Sequence, residues 1–503
     1  MAVLPPTYLA AVVILFVLFR LRHILSLSAL LLKDVAFFLP PDSTMLDSLN
    51  TPVAKKAKYQ KPEKTVGERL QLMQLSMSPI GGSTLTKCLF FDLYDTLVVV
   101  TVASILVFWI MQFMPEAMPD PSYYLLLGAF VLSLLFPFLI QYGISSYETQ
   151  LGIGVALLAT ILAMFTLYDP FHVLDFNVEG SAASMDHRWQ LLITAMGLPS
   201  GTSSLTTLWL SLLLGGLAGM ISSTTLLPAF RFSRMYSDFV ASKAISTSWK
   251  VVLHLNVLMP LVLSWAWFRP LSSSLFVGSN AVACSESTYF SWFAPRDCGD
   301  VRFLTESTWR NIRLNLLVVA AIVRLACYRD HVQYFLLEPK HKVTRQLLVK
   351  GRVDTQAIVD TILIPFTYVP VICVQYLTPV CLWLVSAFLL QRKADRCFSW
   401  FDFLVRVVGI NSIPSSQLCS VSTLPTTPSF SFESGGTLGW NEFTVLLQGL
   451  QSFPLAEPLW FESVLGFLVW WSATSWFVLS TVGLVYHNKL DRLQQPWTKQ
   501  KTN

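Results

Sequence analysis

Apolar runs of about twenty residues recur along this 503-residue chain. That is the length a helix needs to cross a ~30 Å hydrocarbon core at 1.5 Å per residue. Residues 97–114, 123–142 and 150–168 come in quick succession. Residues 205–227 and 251–268 flank a short basic segment, and runs at 314–323, 357–390 and 463–486 follow. A soluble chain this long would fold as about three domains with polar surfaces. Its 35 Lys and Arg and 30 Asp and Glu make only 13% of the residues, roughly half the charge that such surfaces carry. A disordered acidic protein is therefore excluded, and a soluble multidomain enzyme is disfavoured. The expected fold is an all-α polytopic transmembrane helix bundle of about nine spans, with eight or ten as the alternatives.

The first of the nine is residues 7–19, after Pro5 and Pro6. A signal peptide carries its positive charge before the apolar stretch. Here Arg20, Arg22 and His23 come after it, which predicts an uncleaved anchor with its N-terminus outside. Because Lys and Arg collect on the cytoplasmic side, the remaining loops test this orientation. Residues 20–92 carry Arg20, Arg22, Lys33 and seven further Lys or Arg, whereas the turn at 115–121 has only Glu116 and Asp120. The loop 169–200 sets Asp169, Asp175, Glu179 and Asp186 against Arg188. The next linker has Arg231, Arg234, Lys243 and Lys250 against Asp238. Arg329, Lys340, Lys342, Arg345, Lys350 and Arg352 mark a further inside loop, and Lys489, Arg492, Lys499 and Lys501 a basic inside tail.

The chain thus divides into an anchor (1–19), a basic cytoplasmic loop (20–92), spans two to six (93–268) and an outside loop (269–309). Spans seven and eight (310–390), a Ser/Thr/Pro-rich outside loop (391–460), the last span (461–488) and a cytoplasmic tail (489–503) complete it. The run 357–390 is the exception to tidy threading. Its 34 residues reach ~51 Å as a helix, and Pro365, Pro370 and Pro379 interrupt it. One kinked crossing preceded by an interfacial helix keeps the tail inside, and two crossings put it outside. The basic tail favours one, although Arg392, Lys393 and Arg396 then lie outside.

The cysteines bear on the same topology. Cys284, Cys298, Cys397 and Cys419 all fall in the two loops placed outside, where disulfides persist. Four cysteines admit three pairings, of which Cys284 with Cys298 and Cys397 with Cys419 is the simplest. Four free thiols are the alternative.

Motifs of catalysis are sparse. Residues 89–97 (Leu-Phe-Phe-Asp-Leu-Tyr-Asp-Thr-Leu) resemble the nucleophile strand of haloacid-dehalogenase-like hydrolases, with Asp92, Tyr94 and Thr96 at its spacing. A soluble doubly wound domain must follow that strand, and here an apolar span does, so the polar start of a helix is expected instead. No Cys-x-x-Cys or His-Glu-x-x-His occurs, Gly152 and Gly154 lack a third glycine, and nothing resembles a potassium-filter loop. No catalytic residue, metal or cofactor is expected. The lysines Lys55, Lys56, Lys58, Lys61 and Lys64 form a basic cluster that reads either as a solvated loop or as a contact to anionic lipid heads. No internal repeat is visible.

Polar residues inside spans are the sharper signal, since such groups are functional candidates by default. His254 and Asn256 lie near the cytoplasmic end of the sixth span. Only ten residues separate Arg313 from Arg324 in the seventh, too few to cross the bilayer. Eleven positions at 100° return to nearly the same face, ~16 Å apart along the axis. Both can point inward, or each can snorkel to its own surface. Asp360 is the candidate partner for Arg324. Gly215 and Gly219 form a small-xxx-small pair that permits close helix packing, within the bundle or between copies.

In the C-terminal half the residues resemble the transmembrane protein 161 family of animal multipass proteins. The resemblance is carried by Pro228, Arg231, Met235 and Asp238; by His254, Asn256, Pro260, Trp267, Arg269 and Pro270; and by Arg313, Arg324, Leu325, Arg329, His331 and Tyr334. Gln375, Tyr376, Pro379, Trp470, Trp471, Gly483, Tyr486 and His487 complete it. It covers residues 226–488 in order and spacing, with the first 90 residues and 391–459 matching poorly, and Asp360 meets no acidic position of the family. It implies a multipass protein with no established enzymatic activity, associated with control of ionic currents and with stress protection. Two expectations follow: a regulator of other membrane proteins such as ion channels, in the plasma membrane rather than an endomembrane, or a channel or transporter with a path lined by His254, Asn256, Arg313 and Arg324. Its partners are the bilayer and other membrane proteins, with no role for nucleic acid.

Overall fold

The computed structural model describes residues 6–22, 26–50, 69, 73, 75–111, 121–144, 146–168, 173–176, 178–183, 185–186, 206–242, 245–271, 306–347, 354–394 and 458–499. The lysine cluster at 55–64 and the four cysteines Cys284, Cys298, Cys397 and Cys419 fall outside them.

Helix α1 (Pro6–Leu21) opens on Pro6, whose missing N–H falls where a helix has no use for it. The described parts of the expected cytoplasmic loop are folded rather than loose. Helix α2 (Leu27–Leu31) is capped by Ser26, whose Oγ accepts from the Ala29 N–H at 3.2 Å. Strand β1 (Ala36–Phe38) pairs antiparallel with β2 (Met77–Pro79), and α3 (Ser43–Asn50) and α4 (Gly82–Leu85) flank the pair.

The bundle follows: α5 (Phe91–Met111), α6 (Pro121–Ile144), α7 (Ser146–Tyr168), α8 (Thr206–Ala241), α9 (Thr247–Ala266), α10 (Glu306–Ala326), α11 (Tyr328–Leu347), α12 (Thr355–Thr367), α13 (Val369–Ala394) and α14 (Pro458–Lys499). Eight stretches of the described residues are long and apolar enough to cross a membrane, and α1 adds a shorter one, Leu9–Leu21. The hydrolase-like residues Asp92 and Tyr94 lie in the first turns of α5, so the segment is the start of a helix.

Packing supplies the threading. Buried apolar side chains gather in two large clusters. One holds the end of α5 (Phe108), the start of α6 (Leu126), the end of α7 (Ala163), the start of α8 (Leu210), the end of α9 (Ala266), the start of α10 (Leu314) and the start of α14 (Val464). The other holds the start of α5 (Tyr94), the ends of α6 (Ile140) and α8 (Met235), the start of α9 (Leu253), Cys327 just after α10, and Trp476 midway along α14. Successive helices therefore run antiparallel. The second cluster marks what is here called the basic end, because Arg231 and Arg234 lie on α8 beside it.

Helix α13 runs through both clusters, from Val369 to Leu390. Helix α12 belongs instead to a third cluster, with Phe38, Leu49, Val343 and Leu347. The proline-broken run is thus a short helix at the basic end, a break at Tyr368, and one long helix.

Two basic segments expected as loops are helical. Helix α8 continues to Ala241, and residues 328–347 form α11. Their charges have partners: Arg234 lies 3.3 Å from Glu338, Tyr334 bonds Asp238, and Trp249 donates to Asp330 at 2.6 Å. Val332, Leu336, Val343 and Leu347 form one buried stripe along α11, a 3.6-residue period that overall polarity conceals.

Helix α8 is the centre of the bundle, with 61% of its apolar window buried against 17% for peripheral α7. The two meet at the paired glycines. A Cβ on Gly219 would lie 2.7 Å from the Ala156 carbonyl oxygen and 2.3 Å from Thr160 Oγ1, and one on Gly215 3.1 Å from Met164 Sδ. The small-xxx-small pair therefore serves internal packing. Gly216, on another face, has nothing within 4 Å. Gly219→Ala is expected to lower the thermal unfolding temperature of the detergent-purified protein, at a cost of about 1–3 kcal/mol as the helices are forced apart. Gly216→Ala serves as the control and should leave it unchanged or slightly raised.

Candidate functional site

Arg324 lies in the last turn of α10 and is only 1% exposed. Four rings from three other helices enclose it. The guanidinium carbon lies 3.6 Å from the Trp476 centroid (α14), 4.6 Å from Tyr376 and 5.7 Å from Trp383 (α13), and 5.9 Å from Phe232 (α8). Tyr376 and Trp383 are seven residues apart, two helical turns, and so share a face of α13. Among the described residues no acceptor reaches Nε, Nη1 or Nη2.

Ring faces are negative and a planar guanidinium is weakly hydrated, so stacking replaces water here. A charge at the centre of a spanning helix costs about 2.5–3.5 kcal/mol on insertion scales. A desolvated cation–π contact returns about 2 kcal/mol. Contacts of this kind offset the cost of the charge, with no carboxylate beside it among the described residues.

The cage is fixed from behind. Tyr376 Oη donates to the Arg324 carbonyl at 3.1 Å, and Asn256 Nδ2 donates to Tyr376 Oη at 3.3 Å. The His331 ring stacks on Tyr376 with centroids 4.4 Å apart. Asn256, 2% exposed, is thereby joined to Arg324 through one tyrosine.

The expected pair of Arg324 with Asp360 does not form. Asp360 is exposed on α12 and accepts from Gln356 Nε2 at 3.2 Å. The reason is architectural: α12 packs in the third cluster, whereas Arg324 points between helices α8, α13 and α14.

Arg313 lies at the opposite end and has a carboxylate. Its guanidinium bonds Asp175, with Trp267 and Trp309 rings at 5.8 and 5.9 Å. Asp175 is placed by backbone: its N–H donates to the Trp267 carbonyl at 3.0 Å, and Arg269 N–H to the Val173 carbonyl at 2.8 Å. The loop expected to be acidic and outside therefore returns its Asp175 to the bundle. His254 faces outward on α9, its Nδ1 2.7 Å from Tyr236 Oη. Of the four nominated residues, Asn256 and Arg324 come together, Arg313 is at the other end, and His254 is on the exterior.

The family model described as "Predicted transmembrane protein 161AB" matches residues 2–491. The chain belongs to that family. No solved structure matches it. The family match covers the caged arginine, its four rings and the Asp175–Arg313 pair.

The rings and Asp175 are the site residues that sequence reasoning missed. Tyr376 stood among the residues carrying the family resemblance, but nothing in its spacing ties it to Arg324. The one available signal was an intramembrane arginine in a chain with 16 tryptophans and no acidic residue deep in a span.

Two double-mutant cycles separate the ion pair from the cage. Arg313→Gln with Asp175→Asn should show coupling of about 1 kcal/mol or more in thermal unfolding, as for a largely buried pair. Arg324→Gln with Asp360→Asn should be additive. Arg324→Ala is expected to cost about 2–5 kcal/mol through the void it leaves among the rings. Arg324→Met, of similar volume, should retain or raise stability, because apolar replacement of a buried charge is often neutral or stabilising.

Proposed function

We propose that this chain is a non-enzymatic membrane protein that regulates other membrane proteins, such as ion channels, at the plasma membrane. In this reading the Asp175 end faces outside and the basic end the cytoplasm. The observation that supports it is the enclosure of Arg324. The most conspicuous intramembrane charge is enclosed by four rings, and Asn256 and Arg313 are engaged by Tyr376 and Asp175. Groups committed to fixed partners shape a rigid bundle and are not free to bind a permeating ion in turn.

The test is reconstitution of the purified full chain in liposomes, paired with whole-cell recording. Liposomes should show no flux of K⁺, Na⁺, Ca²⁺ or Cl⁻ above protein-free controls. Cells expressing the chain should show altered amplitude of currents already present, with those currents keeping their own ion selectivity. Liposome flux that disappears with Arg313→Gln or Arg324→Gln would overturn the reading in favour of transport.

A further inference from the structure

At the basic end a cleft of about 280 Å³ opens between α8, α11, α13 and α14. Among the described residues lining it are three cations, Arg231 and Arg234 from α8 and Lys342 from α11, and one carboxylate, Glu338. Glu338 is shared between two of them, 3.3 Å from Arg234 Nη1 and 3.3 Å from Lys342 Nζ. Arg231 is held at the wall by Gln375, whose Oε1 accepts from Nη1 at 2.9 Å. Arg234 and Lys342 share the one carboxylate of Glu338, so together they bring a positive excess to the cleft.

A second observation is independent of the surface charge. His331 also lines the cleft, is 4% exposed, and is fixed by stacking on Tyr376. Its Nδ1 has no hydrogen-bond partner among the described residues. A buried ring nitrogen is normally satisfied, and this one belongs to a residue of the cleft wall, where a bound group could meet it.

The volume is just under the roughly 300–1,000 Å³ of sites that take a whole drug-sized ligand. It suits a compact head group. Phe335 and Ile372 add apolar wall beside the cations, and the helices around the cleft are those of the membrane bundle. A phosphate matches the donors, since arginine forks and a lysine point charge both recognise its oxygens. We propose that this cleft binds a phosphomonoester head group, that of an anionic lipid in the leaflet at the basic end. Basic pockets between spanning helices are where such head groups bind. The proposal rests on the cleft alone and is independent of the regulator reading.

Purified full chain in neutral detergent is titrated with short-chain phosphatidylinositol 4-phosphate, with inorganic phosphate, and with short-chain phosphatidylcholine. Thermal unfolding and native mass spectrometry provide the readouts. The phosphoinositide should be retained and should raise the unfolding temperature, and phosphatidylcholine should do neither. Lys342→Gln, at a half-exposed position that tolerates exchange, should weaken binding about fivefold, and Glu338→Gln should tighten it by a similar factor. A response to the phosphoinositide alone supports a lipid head group. An equal response to inorganic phosphate keeps the cleft as a phosphate site and overturns its assignment to lipid. Absence of binding by both phosphates, equal binding of phosphatidylcholine, or affinity unchanged in both variants overturns the proposal.

Discussion

A positive charge held inside the bundle with no counter-ion among the described residues is the constraint around which the structure is arranged. Arg324 cannot be left among aliphatic side chains, because a lone buried ion costs several kcal/mol. It is also too far along α10 from Arg313 for both to reach the same surface. The chain answers with ring faces drawn from α8, α13 and α14. Each ring must present its face rather than its edge, which fixes the rotation of three helices about their own axes. Apolar packing alone does not do this, since leucine-rich helix surfaces in lipid slide and rotate at little cost.

The same logic runs through the polar contacts between helices. Trp471 Nε1 donates to the Ala218 carbonyl and to Ser222 Oγ, both at 2.9 Å, and Trp383 Nε1 donates to Ser472 Oγ at 2.9 Å. Ser233 Oγ donates to the Ser480 carbonyl at 2.6 Å, beside Gly483, where a Cβ would meet it at 2.6 Å. These bonds tie α8 to α14 and α13 to α14 at successive heights. Small residues let the backbones approach, and the hydroxyls and indoles then set the register.

How much of this the sequence carried depends on the range of the interaction. The polytopic helical bundle and its approximate number of spans were legible, because run length is a local property set by the bilayer. The helicity of residues 328–347 was hidden by polarity, since the apolar stripe of α11 is a minority of its surface. The Arg313–Asp175 pair was half legible: the acid was visible in its loop, but only the Leu174–Phe268 backbone bridge carries it to the arginine. The cage was illegible. Arg324 and its rings are 52 to 152 positions apart along the chain where they lie C-terminal to it, and 92 where Phe232 precedes it. No spacing rule joins them, and the expectation of a carboxylate partner followed from solution habits that aromatic-rich interiors do not share.

That leaves the question of why a charge is there at all. An apolar side chain of the same volume would fill the space between the rings with no desolvation cost, so stability alone does not account for Arg324. An isolated ring cage would be explained by helix register. But Tyr376 does two further things: its hydroxyl closes the α10 terminus at the Arg324 carbonyl, and its face carries His331, which reaches the basic cleft. Arginine, tyrosine and histidine thus form one stacked column between the membrane core and the cleft. Anything that shifts His331 bears on the ring that holds Arg324, and through it on the packing of α8, α13 and α14. A cation on a column of rings is sensitive to the tilt of those rings in a way that a methyl group is not. The arginine therefore ties the orientation of the Tyr376 and Trp476 rings to its own charge, a constraint that an apolar side chain of equal volume would not impose.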